Sequence, residues 1–228
     1  MLAWLPAASA QPVVTNAVDP VDARIIVILG DSLAAGAGVE PQEAFPALLQ
    51  KKVNDAGWQD TVVNAGVSGN TSADGAARID WLLRRKVDVF VLELGGNDGL
   101  RGLPVAETRR NLQTILNRVK QKYPGARLVI AGMQMPANMG EDYREAFRNL
   151  FPELAAQNHA ALIPFLLEGV GGKPEFMQAD RIHPNAAGHR IVAETVWQTL
   201  EPVLKQLRGS THPGATAPRR INSPPGKL

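Results

Sequence analysis

The chain has 228 residues, no cysteine and a formal net charge of +2. The length suits a single domain with one core, and the lack of cysteine excludes disulfides, thiolate metal ligands and a cysteine nucleophile. Four basic residues lie in an acid-free C-terminal stretch (Arg208, Arg219, Arg220 and Lys227), so the rest of the chain is close to neutral and, with few aromatic residues, gives nucleic-acid binding little support.

Residues 1–23 are predicted to be a leader outside the folded domain. The first ten residues end in Ala8-Ser9-Ala10, a small-residue sequence of the kind that precedes a secretory cleavage site. We interpret it as the remnant of a signal peptide, although a basic region and a long apolar core are missing, and predict a periplasmic or secreted protein. The alternative is a leader with no targeting role. No stretch approaches the length of a transmembrane helix, so stable membrane insertion is not expected.

Between residues 24 and 207, short β-branched runs alternate with helical patterns. Strands are predicted at 24–30, 61–64, 87–94, 127–132 and 160–165, and helices at 45–54, 72–85, 105–122, 141–158 and 185–207. Thr71 and Asp74 have the spacing of a capping box at the start of the second helix. The alternation predicts a three-layer α/β/α sandwich on a five-stranded parallel sheet of flavodoxin-like type. Residues 208–228, rich in Pro and Gly, are predicted to be an unstructured tail, native or of vector origin.

Residues with catalytic potential follow the predicted strands. Ser32 comes directly after the first strand, in a Gly-Asp-Ser turn, and Asp180 and His183 lie three residues apart before the last helix. A serine hydroxyl needs a base to take its proton and a third group to orient that base. We predict that Ser32 is the nucleophile, His183 the base and Asp180 the orienting carboxylate. For Ser32 the alternative is a helix cap, and for His183 a structural role.

Acyl transfer also needs donors for a developing oxyanion. The backbone N–H groups of Ser32 and Gly66 and the side-chain amide of Asn97 are predicted to converge, because the first three strands adjoin in the proposed sheet. Gly66 and Asn97 could equally be plain turn residues. We further predict that apolar residues in the loops line an acyl groove, or else pack beneath those loops: Leu33, Leu100, Met133, Met135 and Tyr143.

Four ordered blocks carry a family resemblance. Gly30-Asp31-Ser32-Leu33, then Gly66, then Gly95-x-Asn97-Asp98 and then Asp180-x-x-His183 resemble the blocks of the GDSL, or SGNH, hydrolases over about residues 24–207. The extended forms look most like bacterial secreted esterases with thioesterase, lysophospholipase and arylesterase activities. The resemblance implies the same triad and oxyanion residues, hydrolysis without metal or organic cofactor, and often a periplasmic location.

These observations predict a carboxylic ester hydrolase that acts on a small-molecule ester or thioester through an acyl-enzyme, as a monomer or weak oligomer. One alternative is a short-acyl carbohydrate deacetylase of the same family. Another is a non-catalytic nucleotide or small-ligand binding module, although the dinucleotide and Walker patterns are missing. Phosphoryl transfer through Asp31 would need an acidic metal site that the sequence does not offer.

Overall fold

A computed structural model of the chain describes residues 23–210. The predicted leader therefore lies outside the described residues except for residue 23, and so does the predicted tail beyond residue 210. Within residues 23–210, no helix combines the length and the hydropathy that a membrane crossing requires.

Within residues 23–210, five parallel strands form one sheet. The strands are β1 (Ile25–Gly30), β2 (Thr61–Gly66), β3 (Val89–Glu93), β4 (Arg127–Ala131) and β5 (Ala161–Ile163), arranged in the order β2-β1-β3-β4-β5. β1 and β3 are buried on both faces, as expected for central strands of a parallel sheet. This is the flavodoxin-like strand order, so the predicted fold class is confirmed.

In the part of the chain that the structure describes, seven α-helices connect and cover the strands. They are α1 (Ser32–Ala35), α2 (Phe45–Asp55), α3 (Ser72–Leu82), α4 (Gly96–Leu100), α5 (Val105–Lys122), α6 (Glu141–Asn158) and α7 (Ala186–Ser210). α2 packs with α7 on one face of the sheet, and α3, α5 and α6 pack side by side on the other. The predicted capping box of α3 is confirmed, because Asp74 accepts from the Thr71 N–H at 2.8 Å and Thr71 Oγ1 accepts from the Asp74 N–H at 3.3 Å.

Two short helices replace predicted loops, and they carry Ser32 and Asn97. The side chain of Asp31 accepts from the Leu33 N–H and so caps α1, which ends at Gly36 with a φ of 77°. Gly95, with a φ of 113°, is the N-cap residue directly before α4. These positive φ values favour glycine because it has no Cβ. α1 has four residues and α4 has five, which is too short for an apolar periodicity. The sequence pattern therefore did not reveal these helices.

Other boundaries differ by a few residues. α7 continues to Ser210, so the assignment of residues 208–210 to the tail is wrong. The physical reason is a tertiary contact, since the Arg208 guanidinium donates to the buried Asp60 carboxylate at 2.5 Å and lies over the Trp58 ring. β5 has three residues instead of the predicted six, and α3 ends at Leu82 instead of residue 85.

The register of the central strands positions the site. Gly30, the last residue of β1, pairs with Gly66 at the end of β2 and with Glu93 at the end of β3. A Cβ on Gly30 would lie 2.3 Å from Glu93 Oε2, so only glycine fits between these neighbours. The residues that follow β1, β2 and β3 therefore meet at one edge of the sheet, where open α/β sheets bind ligands.

Candidate active site

Ser32, His183 and Asp180 form a continuous chain of hydrogen-bond contacts. His183 Nε2 lies 2.9 Å from Ser32 Oγ, and His183 Nδ1 lies 2.6 Å from Asp180 Oδ2. With Asp180 ionised, Nδ1 carries the proton and donates to the carboxylate, which leaves Nε2 of the neutral ring free to accept the Ser32 proton. The structure thus brings together the three residues predicted for catalysis, in the order that nucleophilic activation requires.

The loop between Asp180 and His183 folds around the carboxylate. Asp180 Oδ1 accepts from the backbone N–H groups of Ile182 and His183 at 2.9 and 3.0 Å. The hydrogen bond from the His183 side chain, followed by these backbone bonds, lowers the Asp180 pKa to about 2. Arg181 makes the turn with a φ of 58°, a left-handed conformation that is uncommon outside glycine.

Gln178 ties this loop to the nucleophile's side of the site. Its Nε2 donates to the Ala37 carbonyl at 2.7 Å, just beyond α1, and to the Pro184 carbonyl at 2.9 Å. Its backbone N–H donates to the His183 carbonyl at 2.8 Å. The role of Gln178 could not be predicted from the sequence, because a lone glutamine before a turn carries no spacing signal.

Two carboxyl groups are buried beneath the nucleophile. Glu93 accepts from the Asp31 N–H at 3.2 Å, and Asp31 accepts from the Leu33 N–H at 3.0 Å. Burial raises the Asp31 pKa to about 6, against the opposing effects of the Leu33 N–H and the charge of His183. Burial, reinforced by Asp31, raises the Glu93 pKa well above its usual range. The environment beneath Ser32 therefore disfavours two negative charges.

The predicted oxyanion donors differ in how they are placed. Ser32 and Asn97 both line the cavity described below. Asn97 Nδ2 donates to the Asn70 carbonyl at 3.0 Å and to Asp31 Oδ2 at 3.2 Å. Gly66 lies against α1, but its N–H donates to Asn64 Oδ1 at 2.9 Å. The structure brings Ser32 and Asn97 to one cavity, and the oxyanion role of Gly66 remains a prediction.

A buried polar network holds α4, which carries Asn97. Asp98 accepts from the backbone N–H of Ser72 at 2.8 Å and from its hydroxyl at 2.5 Å, and also from Thr108 Oγ1 at 3.3 Å. These bonds join α4 to the first turn of α3 and to α5. Asp98 is the sequence neighbour of Asn97, so the bonds that α3 and α5 make to this buried carboxylate also fix the position of Asn97.

A cavity of about 540 Å³ opens beside the triad. This volume lies within the usual range for small-molecule sites. Its apolar lining extends from α1 across the ends of β4 and β5: Leu33, Leu100, Met133, Met135, Pro136, Phe165, Leu167, Met177 and Ile182. Four of the five residues predicted for an acyl groove line it, namely Leu33, Leu100, Met133 and Met135.

Tyr143 does not line the cavity, and its predicted position is wrong. Its hydroxyl donates to the Leu103 carbonyl at 2.8 Å, and its ring stacks on Phe147 in the core. Conversely, Phe165, Leu167 and Met177 line the cavity but were not predicted. Phe165 and Leu167 follow the last strand, so the strand-end rule that selected the methionines could also have selected them.

Comparisons with known proteins agree with this geometry. Residues 28–191 match the model of the GDSL-like lipase/acylhydrolase family. The chain belongs to this family. It is 44% identical over 183 residues to "Esterase TesA" of Pseudomonas aeruginosa, covering 80% of this chain and 90% of that protein. It is 42% identical over 185 residues to "Thioesterase 1/protease 1/lysophospholipase L1" of Escherichia coli K12, covering 80% and 86%.

Solved structures of relatives share the fold. The crystal structure of TesA has a TM-score of 0.76 at 44% identity and covers 79% of this chain and 99% of its own. The SGNH-hydrolase family esterase AlinE4 has a TM-score of 0.67 at 40% identity and covers 81% and 97%. The family resemblance inferred from the four sequence blocks is confirmed, and the chain is a carboxylic ester hydrolase of the GDSL type.

Proposed function

We propose that this family member hydrolyses carboxylic esters and thioesters with apolar acyl chains through Ser32, His183 and Asp180. The observation that carries the proposal is the Ser32–His183–Asp180 hydrogen-bond chain at the wall of a largely apolar cavity. The names of its relatives, which include an esterase, a thioesterase with lysophospholipase activity and an arylesterase, support this substrate range.

In the first step, Ser32 Oγ attacks the carbonyl carbon while His183 Nε2 takes the hydroxyl proton. The Asp180 carboxylate holds the imidazole through Nδ1 and balances the charge of the imidazolium. The developing oxyanion accepts hydrogen bonds from the Ser32 N–H and the Asn97 amide, with Gly66 as the third proposed donor. For Asn97 this requires that the oxyanion replace or share its bond to Asp31.

The tetrahedral intermediate then expels the alcohol or thiol, which takes its proton from His183. A water molecule, deprotonated by His183, attacks the acyl-Ser32 ester. Collapse of the second intermediate releases the acid and returns the proton to Ser32, so atoms and protons balance over the cycle. His183 carries the proton in both steps.

The acyl chain would lie along the apolar wall that runs from Leu33 toward Met177. Methionine side chains adapt to irregular shapes, and three of them line this wall (Met133, Met135 and Met177). Such a lining supports a broad range of acyl lengths. A sharp preference for acetyl esters would instead favour the alternative of a carbohydrate deacetylase.

The test is hydrolysis of p-nitrophenyl esters from acetate to palmitate, and of an acyl-CoA, by the wild type and Ser32→Ala. The exposed Ser68 gives a matched control, because Ser68→Ala removes a hydroxyl that lies outside the cavity lining. We expect activity to be lost only in Ser32→Ala. A p-nitrophenyl alkylphosphonate should phosphonylate Ser32 with release of p-nitrophenol, which adds the mass of the phosphonyl group to the peptide that contains Ser32. Full activity of Ser32→Ala would refute the proposed nucleophile.

The location of the enzyme and its oligomeric state can each be tested. We propose a periplasmic or secreted location, on the strength of the small-residue sequence at 8–10, which lies outside the described residues. Cell fractionation and the mass of the mature N-terminus test it. We propose a monomer or weak oligomer, which sedimentation velocity tests.

A further inference from the structure

Exposed apolar side chains cluster around the cavity opening. Four large hydrophobic residues of the described chain are strongly exposed: Val67 (44%), Trp81 (63%), Leu100 (44%) and Ile182 (46%). Leu100 and Ile182 line the cavity itself. Val67 directly follows β2, and its N–H donates at 3.1 Å to the carbonyl of Gly30, two residues before Ser32. Three of the four therefore lie at the catalytic edge of the sheet.

A cation stands next to two of these apolar residues. Arg101 follows Leu100, and Arg181 precedes Ile182; both are exposed. Arg101 Nη2 donates to the Gly69 carbonyl at 3.0 Å, which joins the end of α4 to the loop that contains Val67. Neither arginine forms an ion pair within residues 23–210. The charge of Arg101 helps to lower the pKa of Asp74, but that carboxylate is hydrogen-bonded by Thr71. The adjacent carboxylate, Asp180, is engaged by His183.

We propose that these five residues, which we call the mouth rim (Val67, Leu100, Arg101, Arg181 and Ile182), dock the enzyme onto an anionic lipid surface. This proposal rests on the proposed function, because docking would place the cavity opening against the layer that supplies acyl chains. Apolar side chains gain free energy by leaving water, and each cation near an anionic surface adds electrostatic attraction. Paired apolar and basic side chains are typical of interfacial binding.

Trp81 provides an internal control. It lies on α3, nine residues beyond Ser72 and so about 14 Å along the helix from the catalytic edge. It is the most exposed of the four hydrophobic residues, and its immediate sequence neighbours, Asp80 and Leu82, carry no positive charge. Loss of Trp81 removes more exposed apolar surface than loss of Val67, without changing the mouth rim.

Binding is measured by co-sedimentation with phosphatidylglycerol vesicles, using the full chain with Ser32→Ala so that no lipid is hydrolysed. We expect Val67→Ser/Ile182→Ser and Arg101→Gln/Arg181→Gln each to weaken binding by about tenfold or more, since tenfold corresponds to about 1.4 kcal/mol. Trp81→Ser should bind like its parent. Residues 211–228 keep their three basic side chains in every variant, so they cannot produce the difference. Circular dichroism and thermal melting check that each variant is folded.

Catalysis gives a second readout. With the active enzyme, Val67→Ser should hydrolyse monomeric p-nitrophenyl butyrate at the wild-type rate but a vesicle-borne ester more slowly, because Val67 does not line the cavity. Equal binding of the mouth-rim variants and their parent, or no binding of the parent, would overturn the proposal. So would wild-type self-association that the mouth-rim variants abolish in the absence of lipid. Because binding uses an inactive variant, a failure of the proposed function would appear separately, as vesicle binding without any ester hydrolysis.

Discussion

Asn97 is the proposed oxyanion donor that acts through a side chain, so it can be removed by mutation. We predict that Asn97→Ala lowers kcat by about 100- to 1000-fold, the usual cost of one such donor, with little change in KM. The reason is that the donor is needed where negative charge develops, in the transition state, and less in the bound substrate. Steady-state kinetics with p-nitrophenyl butyrate measure both constants.

Asn111→Ala is the matched control for this prediction. Asn111 donates to Ser72 Oγ at 3.1 Å, within the same polar network that holds α4, but it does not line the cavity. We expect Asn111→Ala to retain most of the wild-type kcat. If both variants lost activity equally, the effect of Asn97 would be a general disturbance of the network.

His189 makes stability depend on pH. It is buried in α7, its ring stacks on Phe45, and its Nδ1 accepts from the Phe45 N–H at 3.3 Å. Burial, followed by the charge of His183, lowers the His189 pKa from 6.5 to about 4, against the attraction of Glu43. Between these pH values the unfolded chain binds a proton at His189 that the folded chain does not. Stability is therefore lost as pH falls from 6.5 toward 4.

We predict that this loss amounts to about 2 kcal/mol, and that His189→Asn removes it. Asparagine can still accept from the Phe45 N–H but does not titrate. Urea unfolding of both proteins near pH 6.5 and near pH 4 gives the loss of unfolding free energy for each protein. Subtracting the loss in His189→Asn from the loss in the wild type cancels the contributions of other titrating groups. A wild-type pH dependence that persists unchanged in His189→Asn would contradict this prediction.

At the residue scale, the sequence predicts which side chains can react more reliably than where each side chain points. Ser32, Asp180 and His183 belong to a combination with few physical uses, so their meeting was predictable. Tyr143 was misplaced because an aromatic residue in the first turn of a helix gives no sign of whether it turns toward the cavity or the core. The bond from the Gly66 N–H to Asn64 was equally hidden, since it depends on a local turn of the backbone.

Among the elements, the loop after β5 forms the far wall of the cavity. We predict that Leu167→Phe leaves hydrolysis of the butyrate ester intact but reduces the rate ratio of palmitate to butyrate by about tenfold or more, the order that pocket size differences produce. The larger side chain would shorten the space for the acyl chain. Leu162→Phe makes the same change within β5 and outside the cavity, and it should leave the ratio unchanged.

The residues just before β1 and β2 and the last turn of α7 meet at one buried carboxylate, that of Asp60. Asp60 accepts from the Arg24 N–H at 2.9 Å and from the Arg208 guanidinium at 2.5 Å, and the Arg24 guanidinium lies 4.0 Å from the same carboxylate. We predict that Asp60→Ala destabilises the fold by about 3 kcal/mol, because two cations lose their buried counter-charge. Asp55→Ala breaks the exposed Lys51–Asp55 pair and should cost at most about 0.5 kcal/mol. Urea unfolding at neutral pH compares the two.

For the whole molecule, the alternation of strands and helices was predictable because it follows from periodicity and β-branched content. The five strands and the five long helices of residues 23–210 were all predicted to within a few residues. The length of β5 was overestimated, because a strand at the edge of the sheet needs few ladder bonds. The length of α7 was underestimated, because its last turn is held by Asp60 from a distant part of the chain. Tertiary contacts of this kind leave no local pattern.

Arg24 and Arg208, near the two ends of the described residues, both bind Asp60. This arrangement supports a prediction about the folded domain. We expect a protein of residues 23–210 to fold and to keep the wild-type kcat and KM for p-nitrophenyl butyrate. Its thermal midpoint should shift by less than about 3 °C, which corresponds to about 1 kcal/mol for a domain of this size. The reason is that Arg24 and Arg208 close the sheet against α7 through one carboxylate, and the triad, the cavity and the core lie between them.

Differential scanning calorimetry of the two proteins provides the comparison. A large loss of stability with retained kcat would show that residues outside 23–210 pack on the core, whereas a loss of kcat alone would place them at the active site.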